Sequence, residues 1–148
     1  LKTGACCNYE NNIENDTNYG KLYSWYAVDD KRDLAPEGWH IPSDLEWQTL
    51  IDYLGGEEIA GGILKTDYFW HDSILNVTDD YEFSAMPGGG RNGNGSFDSS
   101  GIMGFWWGRN EFDSVNSWYI YLENKTNSVS SLFCDKKVGA SIRCIKDN

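Results

Sequence analysis

The order of helix and strand patterns along the chain predicts a single α+β domain. The 148 residues match the common size of one domain, and no stretch is long enough to be an interdomain linker. Helical spacing of apolar residues is confined to the first part of the chain, whereas short runs rich in Trp, Tyr, Val and Ile follow from Phe83 onward. Strands and helices do not alternate as a parallel α/β sheet requires.

The clearest predicted element is a helix that begins just after Ser43. Ser43 and Glu46 have the spacing of a capping box, and Gly55-Gly56 marks the end of the helix. Between these signals, apolar residues recur at helical spacing, at Trp47, Leu50, Ile51 and Leu54. An earlier helix is predicted from Tyr19 to about Val28, with an apolar face made of Leu22, Tyr23 and Tyr26.

Short strands are predicted in the second half, where Gly and Asn clusters separate runs of aromatic and β-branched residues. They lie near Phe83–Pro87, Gly104–Gly108, Ser117–Glu123, Ser128–Phe133 and Ala140–Ile145. A hairpin between the last two would turn around residues 135–137. In the strand at 117–123, Tyr119 and Tyr121 point away from the face of Trp118 and Ile120. If Trp118 lies in the core, these two tyrosines are therefore the exposed pair.

Composition excludes several classes of partner. Twelve Lys and Arg residues against 23 Asp and Glu residues give a formal net charge of −11, which repels nucleic acid and anionic lipid. No apolar run reaches the ~18 residues that a membrane span requires. The chain starts without an initiator Met or a signal peptide, so we expect a domain cut from a longer protein. We also expect this domain to be a monomer.

Four cysteines lie near the two ends of the chain, at Cys6, Cys7, Cys134 and Cys144. Their spacing does not match a zinc site of the CxxC kind, and adjacent cysteines rarely bridge each other without strain. Two disulfides that join the N-terminal pair to the C-terminal pair are one interpretation. Four reduced, buried thiols are the other.

Seven segments of the chain carry a recognisable pattern: GKLYSWYAV (20–28), LAPEGWHIPSDLEW (34–47), LIDYLGG (50–56), SAMPGGGRNGNGSF (84–97), GFWW (104–107), SWYIYL (117–122) and SIRCIKD (141–147). Together they resemble the Fibrobacter succinogenes major paralogous domain family, in the family's order. That family is similar to the formylglycine-generating enzyme, whose motif at a helix start resembles HIPSDLEW. The resemblance implies a C-type lectin-like fold of the formylglycine-generating-enzyme subtype, with two helices, small antiparallel sheets and long loops.

The resemblance also bears on the cysteines and on catalysis. The segments GACCNYEN and SIRC imply a Cys7–Cys144 disulfide, and Cys6–Cys134 is the second pair that we expect. The related enzyme binds copper through a close pair of cysteines near its C-terminal end. Here Cys134 and Cys144 would lie about four strand residues apart across the hairpin, on the order of 13 Å, which is too far to chelate one metal. An oxidase of that type is therefore disfavoured.

Other chemistry has little support in the sequence. His40 and His71 occur in turns, where a hydrogen-bonded structural role is commoner than a catalytic or ligating one. No nucleophile elbow, His-Glu-x-x-His pair or phosphate-binding loop occurs. Asp79, Asp80 and Glu82 could hold calcium, but an acidic loop is usually only solvated. We therefore expect no catalytic residue and no cofactor.

The candidate binding surface is the segment from about 108 to 138, where mixed aromatic and small polar residues resemble a paratope in composition. The candidate ligand-binding residues are Arg109, Asn110, Phe112, Asp113, Val115, Asn116, Tyr119, Tyr121, Asn124, Ser128, Ser130, Leu132, Phe133 and Asp135. A soluble strand-and-loop surface without a partner is the alternative.

Domains of the implied fold serve as variable proteins of diversity-generating retroelements, which rewrite Asn codons into a similar assortment of residues. We therefore predict a non-catalytic domain at the cell surface, at a virion surface or otherwise extracellular, which binds a protein or a glycan. The alternatives are a structural module of a bacterial surface protein and a formylglycine-generating oxidase that uses Cys134 and Cys144.

Overall fold

The computed structural model describes residues 2–71 and 77–147 and confirms the α+β class. The described α-helices are α1 (Glu14–Tyr19), α2 (Trp25–Val28), α3 (Asp44–Tyr53) and α4 (Glu57–Leu64), and a 3-10 turn spans Tyr9–Asn11. These are more helices than the two that the resemblance implied. None of the described helices is long and apolar enough to cross a membrane.

Most of the strands form one sheet. The strands are β1 (Cys6–Asn8), β2 (Lys21–Ser24), β3 (Trp39–His40), β4 (Gly88–Arg91), β5 (Phe97–Ser100), β6 (Met103–Glu111), β7 (Asn116–Glu123), β8 (Val129–Asp135), β9 (Gly139–Ala140) and β10 (Ile145–Lys146). The main sheet has the order β1-β2-β9-β4-β6-β7-β8, with β5 beside β4, and β10 pairs with β3 separately. Its pairs are antiparallel except β4 with β6.

Helix α3 confirms the capping box. The Ser43 hydroxyl accepts a hydrogen bond from the Glu46 backbone N–H at 3.3 Å, and the Glu46 carboxylate accepts one from the Ser43 N–H at 2.8 Å. The hydrogen bonds from Ser43 lower the pKa of Glu46 to about 2. On the inner face of the helix, Trp47 and Ile51 are buried. The start of α3 is therefore fixed by contacts between residues close in sequence.

The predicted helix from Tyr19 to Val28 is wrong over most of its length. Helix α1 ends at Gly20, which has a φ of +72°, and residues 21–24 form β2 between β1 and β9. Only α2 is helical. Backbone hydrogen bonds to strands on both sides outweigh the helical spacing of Leu22 and Tyr23, because helix propensity is a weak preference that tertiary contacts override.

Two strand predictions also need correction, whereas β6, β7 and β8 confirm the other three. Residues 83–87 contribute only a single bridge, between Ala85 and Lys65. The hairpin of the last two strands is not formed, because β8 pairs with β7 and the chain then crosses the sheet to place β9 between β2 and β4. Beyond β9, Ser141 accepts a hydrogen bond from the Trp107 N–H at 3.1 Å. The C-terminal segment thus fills the middle of the sheet.

The sheet separates two apolar cores. The larger core packs α3 and α4 against one face and contains Trp47, Ile51, Leu54, Ala60, Leu64, Trp106, Ile120, Leu122 and Val129. The smaller core lies on the other face and contains Trp25, Trp107 and Ala140, with Phe105, Tyr119 and Cys134 packed against it. Neighbouring residues Trp106 and Trp107 enter different cores because side chains alternate along β6.

A histidine between two carboxylates joins the C-terminal segment to α3. His40 Nδ1 lies 2.6 Å from Asp147 Oδ1, and His40 Nε2 lies 2.8 Å from Glu46 Oε1. The hydrogen bonds to Asp147 and then to Glu46 raise the pKa of His40. The two hydrogen bonds therefore favour the protonated imidazolium and hold the end of the chain beside β3, where Ile145 pairs with His40.

We predict that His40→Gln removes a pH-dependent part of the stability. Because the folded-state pKa of His40 is raised, its contribution is complete below the unfolded pKa of about 6.5 and is lost as pH rises through the folded pKa. Thermal melts should show that the Tm difference between wild type and variant shrinks as the pH is raised from about 5 to about 9. A Tm difference that stays constant over this range would contradict the prediction.

Candidate ligand-binding surface

The predicted binding residues divide between the two faces of the β6–β7–β8 region. Strand β8 ends the sheet, and its register pairs Phe133 with Trp118 and Leu132 with Tyr119. Since neighbouring residues of a strand point to opposite faces, Phe133 and Leu132 cannot contribute to one surface. The segment from 108 to 138 therefore forms two surfaces, each with its own geometry.

One face carries three packed aromatic rings, Phe112, Trp118 and Phe133, here called the aromatic platform. The rings of Phe112 and Phe133 stack with centroids 4.0 Å apart and an interplanar angle of 8°. Trp118 stands edge-on to both, at 4.9 Å from Phe112 and 5.8 Å from Phe133. Phe112 remains 42% exposed and Phe133 47% exposed. The platform is thus apolar area held in a defined geometry but open to solvent.

Asp113 shapes the loop that carries Phe112. Its carboxylate accepts hydrogen bonds from the backbone N–H groups of Val115 at 2.7 Å and Asn116 at 2.8 Å, and from the Asn116 amide at 2.9 Å. The side-chain hydrogen bond from Asn116 is the main cause that lowers the pKa of Asp113. Asp113 and Asn116 therefore define the loop, while Val115 lies 52% exposed beside them.

Lys136 anchors the same loop from beneath. This lysine is 2% exposed, and its ammonium pairs with the Glu111 carboxylate, donates to the Asp113 carbonyl at 2.6 Å and lies 4.7 Å from the Trp25 ring centroid. A buried ammonium is costly unless it is paired, so moving the loop away would break the partners of Lys136. The platform is consequently preorganised.

A cleft of about 90 Å³ adjoins the platform between α3 and the sheet. Its lining includes Asp44, Gln48, Glu57, Trp118 and Ser131. Burial raises the pKa of Asp44, and its backbone N–H donates to Asn110 Oδ1 at 3.2 Å, which connects α3 to the platform loop. The sequence predictions missed Asp44 because an acidic residue in the first turn of a helix is usually explained by the helix dipole alone.

The opposite face is largely covered. Tyr119 packs with ring centroids 5.8 Å from Phe105 and 6.1 Å from Trp107, and burial raises the pKa of Tyr119. Tyr121 lies 6.3 Å from Phe105. The expectation that Tyr119 and Tyr121 form an exposed pair opposite a buried Trp118 is therefore wrong, because all three rings are half-buried and Tyr119 packs against the smaller core. Leu132 on this face is still 48% exposed.

Comparison with known proteins identifies the family. Residues 1–146 match the Fibrobacter succinogenes major domain. The chain belongs to the Fibrobacter succinogenes major domain family. No curated protein and no solved structure matches it. The family resemblance deduced from the sequence segments is thus confirmed over almost the whole chain.

Not all of the predicted binding residues of this Fibrobacter succinogenes major domain are available to a ligand. Asn124 is 4% exposed, and its amide donates to the His71 carbonyl at 2.6 Å, so its role is structural. Asp135 accepts a hydrogen bond from the Lys137 N–H at 2.8 Å within a turn. Ser128 and Ser130 are half-buried. The exposed members of the predicted set are Arg109, Asn110, Phe112, Asp113, Val115, Leu132 and Phe133.

The four cysteines of the domain are free thiols, so the expected Cys7–Cys144 and Cys6–Cys134 disulfides are not present in the structure. Cys6 and Cys134 lie on β1 and β8, at opposite ends of the main sheet, which no disulfide can span. The predicted hairpin, from which the separation of Cys134 and Cys144 was inferred, is also not formed. Burial raises the pKa of Cys134 to about 12 and also raises that of Cys144. A catalytic thiol needs the opposite shift.

The histidines and the acidic loop have structural contacts. The His71 backbone N–H donates to the Gly101 carbonyl at 2.7 Å, and the His71 ring occupies the space where a Cβ on Gly101 would lie. Asp79 uses its carboxylate to accept from the Ser84 N–H at 2.7 Å and the Ser84 hydroxyl at 2.8 Å. Within residues 2–71 and 77–147, no group of three or more His, Cys, Asp or Glu side chains is arranged so that it could hold a metal ion.

We predict that the Tyr119→Ala, Tyr121→Ala double variant unfolds at a markedly lower temperature. The variant removes the half-buried ring of Tyr119 from the smaller core and that of Tyr121 from its contacts with Phe105 and Tyr119. Truncating such rings costs about 3 kcal/mol or more together, or roughly 10 °C in Tm. Leu132→Ala, on the same face but 48% exposed, is the matched control and should change Tm little. An unchanged Tm of the double variant would show that the tyrosines are surface residues after all.

Proposed function

We propose that this domain is a non-catalytic binding domain that recognises a protein or glycan ligand through the aromatic platform. The stacked, solvent-exposed rings of Phe112 and Phe133 carry the proposal. Aromatic rings that are partly desolvated by one another, yet open on one side, supply the anchor area that dominates interface energies. The smaller core does not need these rings, since they lie on the other side of the sheet.

Rigidity of the platform supports the same proposal. Its loop is held by the Asp113 carboxylate and by buried Lys136, while Trp118 and Phe133 lie opposite each other on paired strands. A surface that is already ordered before binding loses little conformational entropy when a ligand docks. Paratopes use rigid aromatic anchors with adaptable polar neighbours for this reason, and Arg109, Asn110 and Ser131 lie exposed nearby.

The fold subtype and the location belong to the same proposal. We infer a C-type lectin-like fold of the formylglycine-generating-enzyme subtype, which is supported by the pairing of β1 and β9, from opposite ends of the chain, with β2. The raised pKa of Cys134 argues against an oxidase of that type. We place the domain outside the cell, on a cell or virion surface, in line with the extracellular modules of its family.

Retroelement diversification is a further part of the proposal, supported by the exposed residues Arg109, Asn110, Phe112 and Val115, which can change without creating a core cavity. We expect a template repeat and a reverse-transcriptase gene in the DNA beside the coding region. Flanking DNA without either would remove diversification from the proposal and leave ligand binding untouched.

The binding proposal is tested with Phe112→Ala, Phe133→Ala on glycan and protein arrays. We expect the wild type to bind a ligand, and the double variant to lose at least about 2 kcal/mol of binding free energy, with a Tm within a few degrees of wild type. Tyr53→Ala, Tyr81→Ala is the matched control, because these two rings are also exposed and contact each other, edge-on at 5.9 Å, but lie outside the platform. Equal losses in both double variants, or a wild type without any ligand, would overturn the proposal.

A further inference from the structure

The cleft beside Trp118 contains carboxylates without cationic partners. Asp44 of α3 and Glu57 of α4 both line it, and neither forms an ion pair among the described residues. The Asp44 carboxylate packs so closely on the sheet that a Cβ added to Gly108 would lie 2.6 Å from its Oδ1. Glycine at 108 thus leaves room for an acidic side chain that is partly removed from water.

An unpaired, partly desolvated carboxylate costs free energy, and that cost is recovered when a cation reaches it. Neither basic side chain of the platform region pairs with these carboxylates, since Lys136 is buried under the loop and Arg109, although exposed, lines a different cleft with His40. The aromatic ring of Trp118 lies beside the carboxylates, and the face of an indole attracts ammonium and guanidinium groups. The chain as a whole is also strongly acidic, with a formal charge of −11.

The same cleft holds a second unpartnered group. Trp47 lines it and is 3% exposed, and its Nε1 has no hydrogen-bond acceptor within the described chain. A buried N–H without an acceptor is destabilising, and because this Nε1 has no solvent contact in the structure, a ligand carbonyl oxygen would relieve the cost only after a small movement of the cleft wall. A peptide offers carbonyl oxygens beside a basic side chain, whereas an inorganic cation or a simple amine does not.

We propose that this cleft receives the cationic end of a Lys or Arg side chain from a protein ligand, with Asp44 and Glu57 as counter-charges and Trp118 as an aromatic wall. The inference rests on the proposed binding function and narrows its ligand from glycan or protein to a protein with a basic anchor. The platform would then contact apolar residues around that anchor. Opposite charge on the two partners also speeds their encounter.

The test titrates acetyl-Gly-Arg-Gly-amide and its citrulline twin, which keeps the shape but lacks the charge, into the ¹⁵N-labelled protein. We expect the indole N–H signals of Trp118 and Trp47 to shift with the Arg peptide, at an affinity at least ~10-fold above that of the citrulline peptide. Asp44→Asn should abolish this difference. Glu14→Gln removes the same unit of charge from an exposed position on α1 and should preserve it.

Three outcomes would overturn the inference. Equal effects of Asp44→Asn and Glu14→Gln would mean that only the net charge of the protein attracts the peptide. A lower Tm of Asp44→Asn with unchanged peptide binding would assign Asp44 to stabilising the start of α3 through the helix dipole. Absence of any shift with the Arg peptide, while a ligand on the arrays still needs Phe112 and Phe133, would leave the binding function intact and remove only its basic anchor.

Discussion

The register of β6 is the constraint on which the rest of the structure depends. Trp106 and Trp107 are adjacent, fully buried and directed into different cores, so a slip of one residue would exchange their surroundings. Two hydrogen bonds oppose such a slip: Trp107 Nε1 donates to the Tyr23 carbonyl at 2.7 Å, and Trp25 Nε1 donates to the Gly108 carbonyl at 3.0 Å. These indole bonds tie the centre of the sheet to residues more than 80 positions earlier.

The same register places the aromatic platform. Because Trp106 pairs with Ile120 before the register shift in β6, and β8 pairs with β7 without interruption, the orientation of Trp106 determines that Trp118 and Phe133 share the face of α3. The face of Trp107 receives Tyr119, which packs against the smaller core, and Tyr121, which packs against Phe105. One alternation along three strands thus decides which rings are free for a ligand and which stabilise the fold.

The electrostatics of this acidic chain depend on the positions of its basic side chains. Lys65 is completely buried, with its ammonium bonded to the carbonyls of Glu123 and Thr126 and 4.9 Å from the Trp70 ring centroid, and burial lowers its pKa to about 8. Lys136 is buried beneath the platform loop. Both cations satisfy backbone and aromatic groups inside the protein. Among the described residues, the carboxylates of Asp44 and Glu57 form no ion pair, which is the basis of the proposal that their cleft receives a basic group.

The sequence by itself determined the elements whose signals are local: the capped helix α3, the strands β6, β7 and β8, the α+β class and the family. It also predicted that Trp118 and Tyr119 face opposite ways, since alternation is a property of any strand. Only the tertiary structure decided that β2 is a strand, that β9 inserts between β2 and β4, and that Tyr119 is covered while Phe133 is open. These outcomes depend on pairing between residues far apart in the chain, and neither propensity nor spacing records which strand lies next to which. The burial of Asn124 and the partial burial of Asp44 could not be predicted from the sequence either, because burial of a polar side chain depends on the elements that fold over it.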